Sequence, residues 1–200
     1  MPRIFCIGRN YVEHARELNS QVPAEPVVFM KPPESLVPPG HTVPFPAHGD
    51  DLHHEVELVL RVGSTAGTGQ PTLEAITVGV DLTLRDVQKR LKAAGLPWEA
   101  AKAFEHSALA GEFVPVTPRI NPDRLSLWLD VNGERRQSGN TEEMIFSTTR
   151  LLEHLASIWR LVPGDLVFTG TPAGVGSLAP GDEISAGADQ VGSFTWRIGA

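Results

Sequence analysis

The sequence predicts a strand-rich α+β fold in a single domain spanning residues 1–200, and three observations carry that prediction. Nineteen glycines and 17 prolines in 200 residues lie well above the roughly 12% combined share of an average protein, so the chain turns often. Helical periodicity beyond two turns occurs in only three stretches, 10–18, 83–94 and 141–161. The remainder is cut into short apolar runs bounded by Gly, Pro, Asn or Asp, which is how strands read.

Those runs are 3–7, 27–30, 55–62, 76–82, 125–132, 165–169, 183–186 and 192–198. Between the first two, Asn10 followed three residues later by Glu13 is a helix-start signature. The proline-rich stretch 31–51 is too irregular for either period, so it must wrap a surface or cover a site. Residues 63–71, rich in Gly, Ser and Thr, read as a loop between two strands rather than a domain linker. Asn132-Gly133 is a hairpin turn. Pro163-Gly164-Asp165 and Pro180-Gly181-Asp182 repeat one turn chemistry, but no fixed period runs through the chain, which excludes a solenoid. Phe5, Trp98 and Trp159 are expected in the core.

Composition excludes several functions. A chain of this length with 41% hydrophobic and 20% charged residues buries a core without staples. Seventeen Lys and Arg against 24 Asp and Glu give a net charge of −7 with no basic stripe, which argues against a nucleic-acid partner. Cys6 stands alone, so the chain has neither an internal disulfide nor a thiolate zinc site. No apolar run approaches the roughly 20 residues of a membrane helix, and residues 1–7 are too short for a signal peptide. The expectation is a cytoplasmic protein with no membrane partner.

Three clusters carry chemistry. In His53-His54-Glu55-Val56-Glu57-Leu58, strand alternation puts Glu55 and Glu57 on one face, about 7 Å apart along the backbone, and Val56 and Leu58 on the other. Two like charges there call for water or a cation; an exposed face of an edge strand is the alternative. Asp81 ends a second apolar run, as a third carboxylate or as a cap for the helix that follows. Three carboxylates without cysteine favour a hard cation, Mg²⁺ first and Mn²⁺ or Ca²⁺ as alternatives, and leave one net negative charge. His53 and His54 are taken as structural, since both cannot face such an ion. His14 and Glu17, at i and i+3, share a helix face as a carboxylate-oriented base or as an ordinary surface pair. Arg85 and Gln88 share the face of the helix after Asp81, either flanking the cation or solvated, and Lys102 sits in an apolar run where it either enters the site or snorkels to the surface. The loop 169–176 is glycine-rich but lacks the lysine of a nucleotide loop; a small anion on its backbone N–H groups is the residual reading.

The series Gly8-Arg9-Asn10-Tyr11 with His14 and Glu17, Phe29-Met30-Lys31-Pro32, His53 to Leu58, Asp81 with Arg85, Asp86 and Gln88, Leu96-Pro97-Trp98 with Ala101-Lys102, Arg136-Gln137, Met144-Ile145-Phe146 and Thr169 to Gly176 resembles the fumarylacetoacetate hydrolase family. The resemblance runs in order from about residue 4 to the end, and the short chain is similar to the acylpyruvate hydrolase and oxaloacetate decarboxylase branch and to isomerase/decarboxylase enzymes of aromatic catabolism. It implies a mixed β-roll with few helices, working as a homodimer. It implies that Glu55, Glu57 and Asp81 bind Mg²⁺, that His14 and Glu17 form a water-activating dyad, that Lys102 is catalytic, and that Arg85, Gln88 and Thr171 contact a small anionic 2-oxo acid. Larger members supply a further carboxylate from an upstream region; with no counterpart here, a water is expected in that place.

The activity so implied is Mg²⁺-dependent hydrolysis of the C–C bond of acylpyruvate-type 2,4-diketo acids through an enolate that a Lewis acid stabilises. Decarboxylation or isomerisation of 2-oxo dicarboxylic acids passes through a similar enolate and is the alternative. A noncatalytic metal-containing binding module is the alternative from another class.

Overall fold

The computed structural model describes residues 2–17, 21–64 and 71–200. Among them the chain forms, in order, β1 (Ile4–Gly8), α1 (Val12–Glu17), β2 (Val27–Lys31), β3 (Leu36–Val37), β4 (Thr42–Val43), β5 (Leu52–His54), β6 (Val56–Val62), β7 (Leu73–Asp81), β8 (Thr83–Leu84), α2 (Arg85–Ala93), α3 (Glu99–Lys102), β9 (Ala108–Ala110), β10 (Val114–Pro115), β11 (Ser126–Val131), β12 (Glu134–Asn140), α4 (Thr148–Ile158), β13 (Leu166–Phe168), β14 (Gly176–Leu178), β15 (Glu183–Ala188) and β16 (Gly192–Ile198). The largest sheet runs β2-β1-β13-β6-β7-β9-β3, with β10 also on β7; a second runs β12-β11-β15-β16-β4, and a small one β14-β5-β8. Three pairings are parallel, β1 with β13, β3 with β9 and β4 with β16. The strand-rich α+β class and its mixed β-roll therefore stand.

Alternation along β6 decides what each face holds. Val56, Leu58 and Leu60 join Ile76, Val78 and Val80 of β7 and Leu127, Leu129, Ile184 and Ala186 of the second sheet in the main core. Each such side chain contributes about 1.5–3 kcal/mol by leaving water. The opposite face of β6 carries Val59 into a smaller apolar cluster with Ile4, Cys6, Leu166 and Phe168. Glu57, and Glu55 just before β6, lie on that second side of an interior strand flanked by β13 and β7. An exposed edge is excluded.

The turns fold as their residues require. Asn132 and Gly133 both have positive φ, 52° and 80°, the geometry of a type I′ hairpin, and this turn lays the polar β12 back on β11. Gly164 and Gly181, with φ of 92° and 94°, follow their prolines in the two matching turns. Asp165 and Asp182 each close the turn by accepting the N–H three residues earlier, from Val162 and Ala179. The stretch 31–51 wraps both sheets: β3 extends the first and β4 the second, and Trp196 Nε1 donates to Pro38 O at 2.9 Å.

Two helical expectations need correction. The stretch 141–161 is a 3₁₀ turn (Thr141–Glu143), an extended break and then α4. The break exists because Ile145 N–H and Phe146 N–H donate to Asn10 O and Oδ1, each at 2.8 Å, and Ser147 Oγ then caps α4 at Arg150 N–H. Asn10 itself is buried and its amide also donates to Phe146 O and Thr169 O, so it ties three segments together instead of starting a helix box with Glu13. Leu18 and most of the predicted loop 63–71 lie outside the described residues. No described helix is long and apolar enough to cross a membrane.

Gly79 faces Glu57 across the β6–β7 pair. A Cβ there would stand 2.5 Å from Leu109 O and 2.7 Å from Val59 Cγ2, so backbone would have to move. Gly79→Ala is expected to destabilise the fold by about 1–3 kcal/mol, read as a lower denaturant midpoint at unchanged slope. An unchanged midpoint would show that β9 can shift freely.

Candidate active site

Antiparallel register brings the acids together. Asp81 N–H donates to Glu55 O at 2.8 Å, placing these two residues level, while Glu57 lies two positions along opposite Gly79. One carboxylate oxygen from each of Glu55, Glu57 and Asp81 lies within 4.8 Å of the others, and all three residues are buried. Asp81 is not a helix cap: Leu84 occupies the cap position of α2, with no side-chain hydrogen bond.

The cations predicted to flank this group do so. Arg85 Nη2 donates to Glu55 Oε1 at 2.5 Å and its Nη1 to Gln88 Oε1 at 2.7 Å. Lys102 Nζ donates to Glu55 Oε2 and Asp81 Oδ2, each at 2.7 Å, and is 4% exposed, so it does not snorkel. Burial opposes the charge on Lys102, but Asp81 and Glu55 outweigh it and push its pKa up to about 12. Burial likewise opposes charge on Glu55, yet Lys102 and Arg85 hold its carboxyl well below the usual range. Burial, with Asp81 and Glu55 beside it, pushes Glu57 well above that range. Glu57 is the carboxylate that wants another cation.

Lys31 is the residue that sequence reasoning passed over without a role. Its Nζ lies 2.8 Å from Asp81 Oδ1 as an ion pair, while its hydrogen bonds go to Leu82 O and Lys102 O. Asp81 Oδ1 accordingly accepts no hydrogen bond and keeps a lone pair for a ligand. That oxygen, ion-paired with Lys31 but hydrogen-bonded to nothing, the elevated Glu57 and an all-oxygen donor set fit a hard divalent cation. Lys31, Lys102 and Arg85 already balance the three carboxylates, which corrects the count made from the acids alone: a divalent ion leaves the cluster about +2, not −1. That charge suits an anionic ligand.

The loop after β13 closes the site from the other side. Gly170 N–H donates to Glu57 Oε2 at 2.7 Å and Gly174 N–H to Glu17 Oε1 at 3.2 Å. The anions held by its backbone are thus the protein's own carboxylates rather than a separate small anion. Glu17 Oε2 stands 3.2 Å from His14 Nδ1, so His14 is buried with one ring nitrogen engaged. Thr171 Oγ1 accepts from Gln137 Nε2 at 2.8 Å, and Gln137 Oε1 accepts Val56 N–H at 3.0 Å and faces His54 Nδ1 at 2.9 Å. Gln137 therefore ties Thr171 to the start of the glutamate strand, which only the fold could reveal. Neither His53 nor His54 reaches the three clustered acids: His53 Nε2 contacts Asp51 Oδ1 at 3.0 Å and its Nδ1 accepts from Arg85 Nε at 3.5 Å.

One cleft is lined by His14, Glu55, Glu57, Asp81, Arg85, Gln88, Lys102 and Thr171, together with Arg9, Phe29, Lys92 and Trp98. Every predicted site residue lines it except Glu17, which stands behind His14. Phe5 and Trp159 are core neighbours, with ring centroids 5.4 Å apart, as expected. Trp98 is not core: it lines the cleft, edge-on to Phe29 and beneath the Arg9 guanidinium.

Glu57 makes stability depend on pH and metal. A carboxyl whose folded pKa is raised contributes fully below its unfolded value, about 4.3, and loses that contribution as pH rises through the folded value. In chelator, the melting temperature is expected to fall as pH rises above the ordinary carboxylate range, and added Mn²⁺ should reverse the fall. An identical pH slope with and without Mn²⁺ would contradict this placement of charge.

The profile of the fumarylacetoacetate (FAA) hydrolase C-terminal domain matches residues 3–199. The chain is 43% identical over 201 residues to the mitochondrial oxaloacetate tautomerase FAHD1 of Mus musculus, covering 98% of this chain and 90% of that one. It is 42% identical over 202 residues to the oxaloacetate tautomerase YcgM of Escherichia coli K12, covering 98% and 92%. The fumarylpyruvate hydrolase of Pseudomonas aeruginosa, solved with Mn²⁺ and pyruvate, superposes with a TM-score of 0.93 at 35% identity, covering 100% of this chain and 90% of that one. By this match over nearly its whole length and by these relatives, the chain belongs to the fumarylacetoacetate hydrolase family, a family of enzymes.

Proposed function

We propose that this protein is a divalent-cation-dependent enzyme of small 2-oxo acids that works through an enolate, with keto–enol tautomerisation of a 2-oxo dicarboxylic acid of the oxaloacetate type as its first activity. The observation that carries the reading is the convergence of three buried carboxylates, Lys102, Arg85 and His14 on one cleft. The tautomerase relatives at 42–43% identity support this choice of reaction. Glu55, Glu57 and Asp81 would hold the cation, Mg²⁺ with Mn²⁺ and Ca²⁺ as alternatives, which when bound supplies Lewis-acid stabilisation of negative oxygen.

The remaining work falls to side chains. Arg85, Gln88 and Thr171 hold the substrate carboxylate, and Lys102 adds positive charge beside the 2-oxo oxygen. Glu17 accepts a hydrogen bond from His14 Nδ1–H, holding the proton on Nδ1 and leaving Nε2 as the base. His14 removes a proton from C3, the C–H electron pair forms the C2–C3 double bond as the carbonyl π pair moves to the 2-oxo oxygen, and that oxygen takes a proton from water while His14 releases its own to solvent, giving the enol; the reverse steps regenerate the ketone. A second reading is favoured by the same dyad: with water beside Nε2, His14 would activate it for attack on the distal carbonyl of an acylpyruvate, splitting C3 from C4. The hydrolase relative supports that reading. Under either, the substrate is a small anion, nucleic acid and membrane are not partners, and the chain acts in the cytoplasm as a homodimer.

Ultraviolet absorbance distinguishes the two, because enols absorb where ketones do not. Tautomerisation should appear as accelerated keto–enol relaxation of oxaloacetate, and hydrolysis as irreversible loss of the acetylpyruvate enol, each with Mg²⁺ and abolished by EDTA. Failure to accelerate either reaction would sink the enzyme reading in favour of a noncatalytic binding module.

A further inference from the structure

Two cations in the cleft have no work in the chemistry above. Arg9 follows β1 and lines the cleft with its guanidinium carbon 5.7 Å from the Trp98 ring centroid. Its backbone is left-handed, φ 61°, an uncommon conformation for a residue with a side chain, which holds it at the end of β1 rather than in the strand. Lys92 lies in the last turn of α2 and lines the same cleft. On that helix Arg85, Gln88 and Lys92 fall at i, i+3 and i+7, a single face rising about 10 Å from the buried triad toward the mouth. Helical side chains lean toward the N-terminus, so Lys92 reaches back over the cleft. Neither Arg9 nor Lys92 makes a salt bridge or a side-chain hydrogen bond among the described residues, and the residues outside the description include no Asp or Glu. Burial lowers the Lys92 pKa, and the positive charges of Arg9 and Arg85 lower it further, so these cations feel one another without an acid to relieve them.

We infer that Arg9, over the face of Trp98, and Lys92, on the same cleft, form the subsite for the distal carboxylate of a dicarboxylic 2-oxo acid. The inference rests on the 2-oxo acid reading above and narrows it. Arg85 and the triad meet the 2-oxo acid head at the inner end of the α2 face, and Arg9 with Lys92 meets a second anion at its outer end. An acylpyruvate with a neutral distal group leaves both cations unpaired, so diacids are selected.

Malate and lactate test this without turnover, because they share a 2-hydroxy acid head and differ by the distal carboxylate. Calorimetric titration of the Mn²⁺-loaded protein should show malate binding at least tenfold more tightly than lactate. In Arg9→Asn/Lys92→Met the ratio should fall to about twofold. Asn tolerates the left-handed backbone, and Met suits an exposed helical position; the single Lys92→Met, expected to give an intermediate ratio, provides the reading if the double variant does not fold. No malate preference in the parent protein, or an undiminished preference in the variants, overturns the subsite. Malate preference without turnover of any 2-oxo acid would retain the subsite and remove the enzyme reading. Turnover without malate preference would do the opposite.

Discussion

Glu57→Gln is expected to weaken Mn²⁺ and Mg²⁺ binding by about 100-fold or more and to stop metal-dependent turnover, while the metal-free protein becomes no less stable than the parent. Changes to groups that merely support a ligand already cost about 10–100-fold in affinity, and Glu57 is placed to be a ligand itself. Stability moves the other way because the Glu57 charge is opposed by burial and by Asp81 and Glu55. A Gln carbonyl can still accept Gly170 N–H in the place of Oε2, so what is removed is repulsion. Mn²⁺ titration and melting in EDTA read the two halves separately. Unchanged Mn²⁺ affinity would displace Glu57 from the site, whereas a large loss of metal-free stability would show that its hydrogen bond outweighs its charge.

His14→Ala should lower turnover by about 10²–10⁴-fold, the usual worth of a positioned general base, with Mn²⁺ affinity within about threefold of the parent. Geometry separates the roles: His14 contacts Glu17, whereas the metal oxygens belong to strands β6 and β7 and the residue just before β6. Glu17→Gln should cost less, about tenfold, since Glu17 only orients the ring and remains partly exposed. Melting curves check that the short α1 survives the vacated space. Undiminished hydrolysis of acetylpyruvate and undiminished oxaloacetate relaxation by His14→Ala would take the dyad out of the mechanism, and loss confined to hydrolysis would assign the ring to water activation alone.

Much of the fold was legible because it is local. The period-two pattern of Val56, Leu58 and Leu60 names the core face of β6, and Asn132-Gly133 and the two Pro-Gly-Asp turns need only their own backbones to bend as they do. Strands of two or three residues, such as β4 and β9, are too short to show a period and form because neighbours offer unpaired edges. The stretch 141–161 kept a helical pattern that tertiary bonds to Asn10 interrupt, since two half-buried N–H groups satisfied by one buried asparagine outweigh propensity.

The site divides along the same line. The spacing of Glu55 and Glu57 on one strand face, and of Arg85 and Gln88 on one helix face, is determined by the sequence because alternation and helical pitch are properties of a few consecutive residues. Whether those faces look at water or at each other is not local. Register between β6 and β7 made Asp81 level with Glu55; the loop from β13 brought Gly170 to Glu57 and Gly174 to Glu17; and folding brought Lys31 from β2 to Asp81. The sequence by itself determined which acids could share a cation. Only the tertiary structure decided that three basic groups balance them, because charge acts through the distance that folding sets and not through separation along the chain.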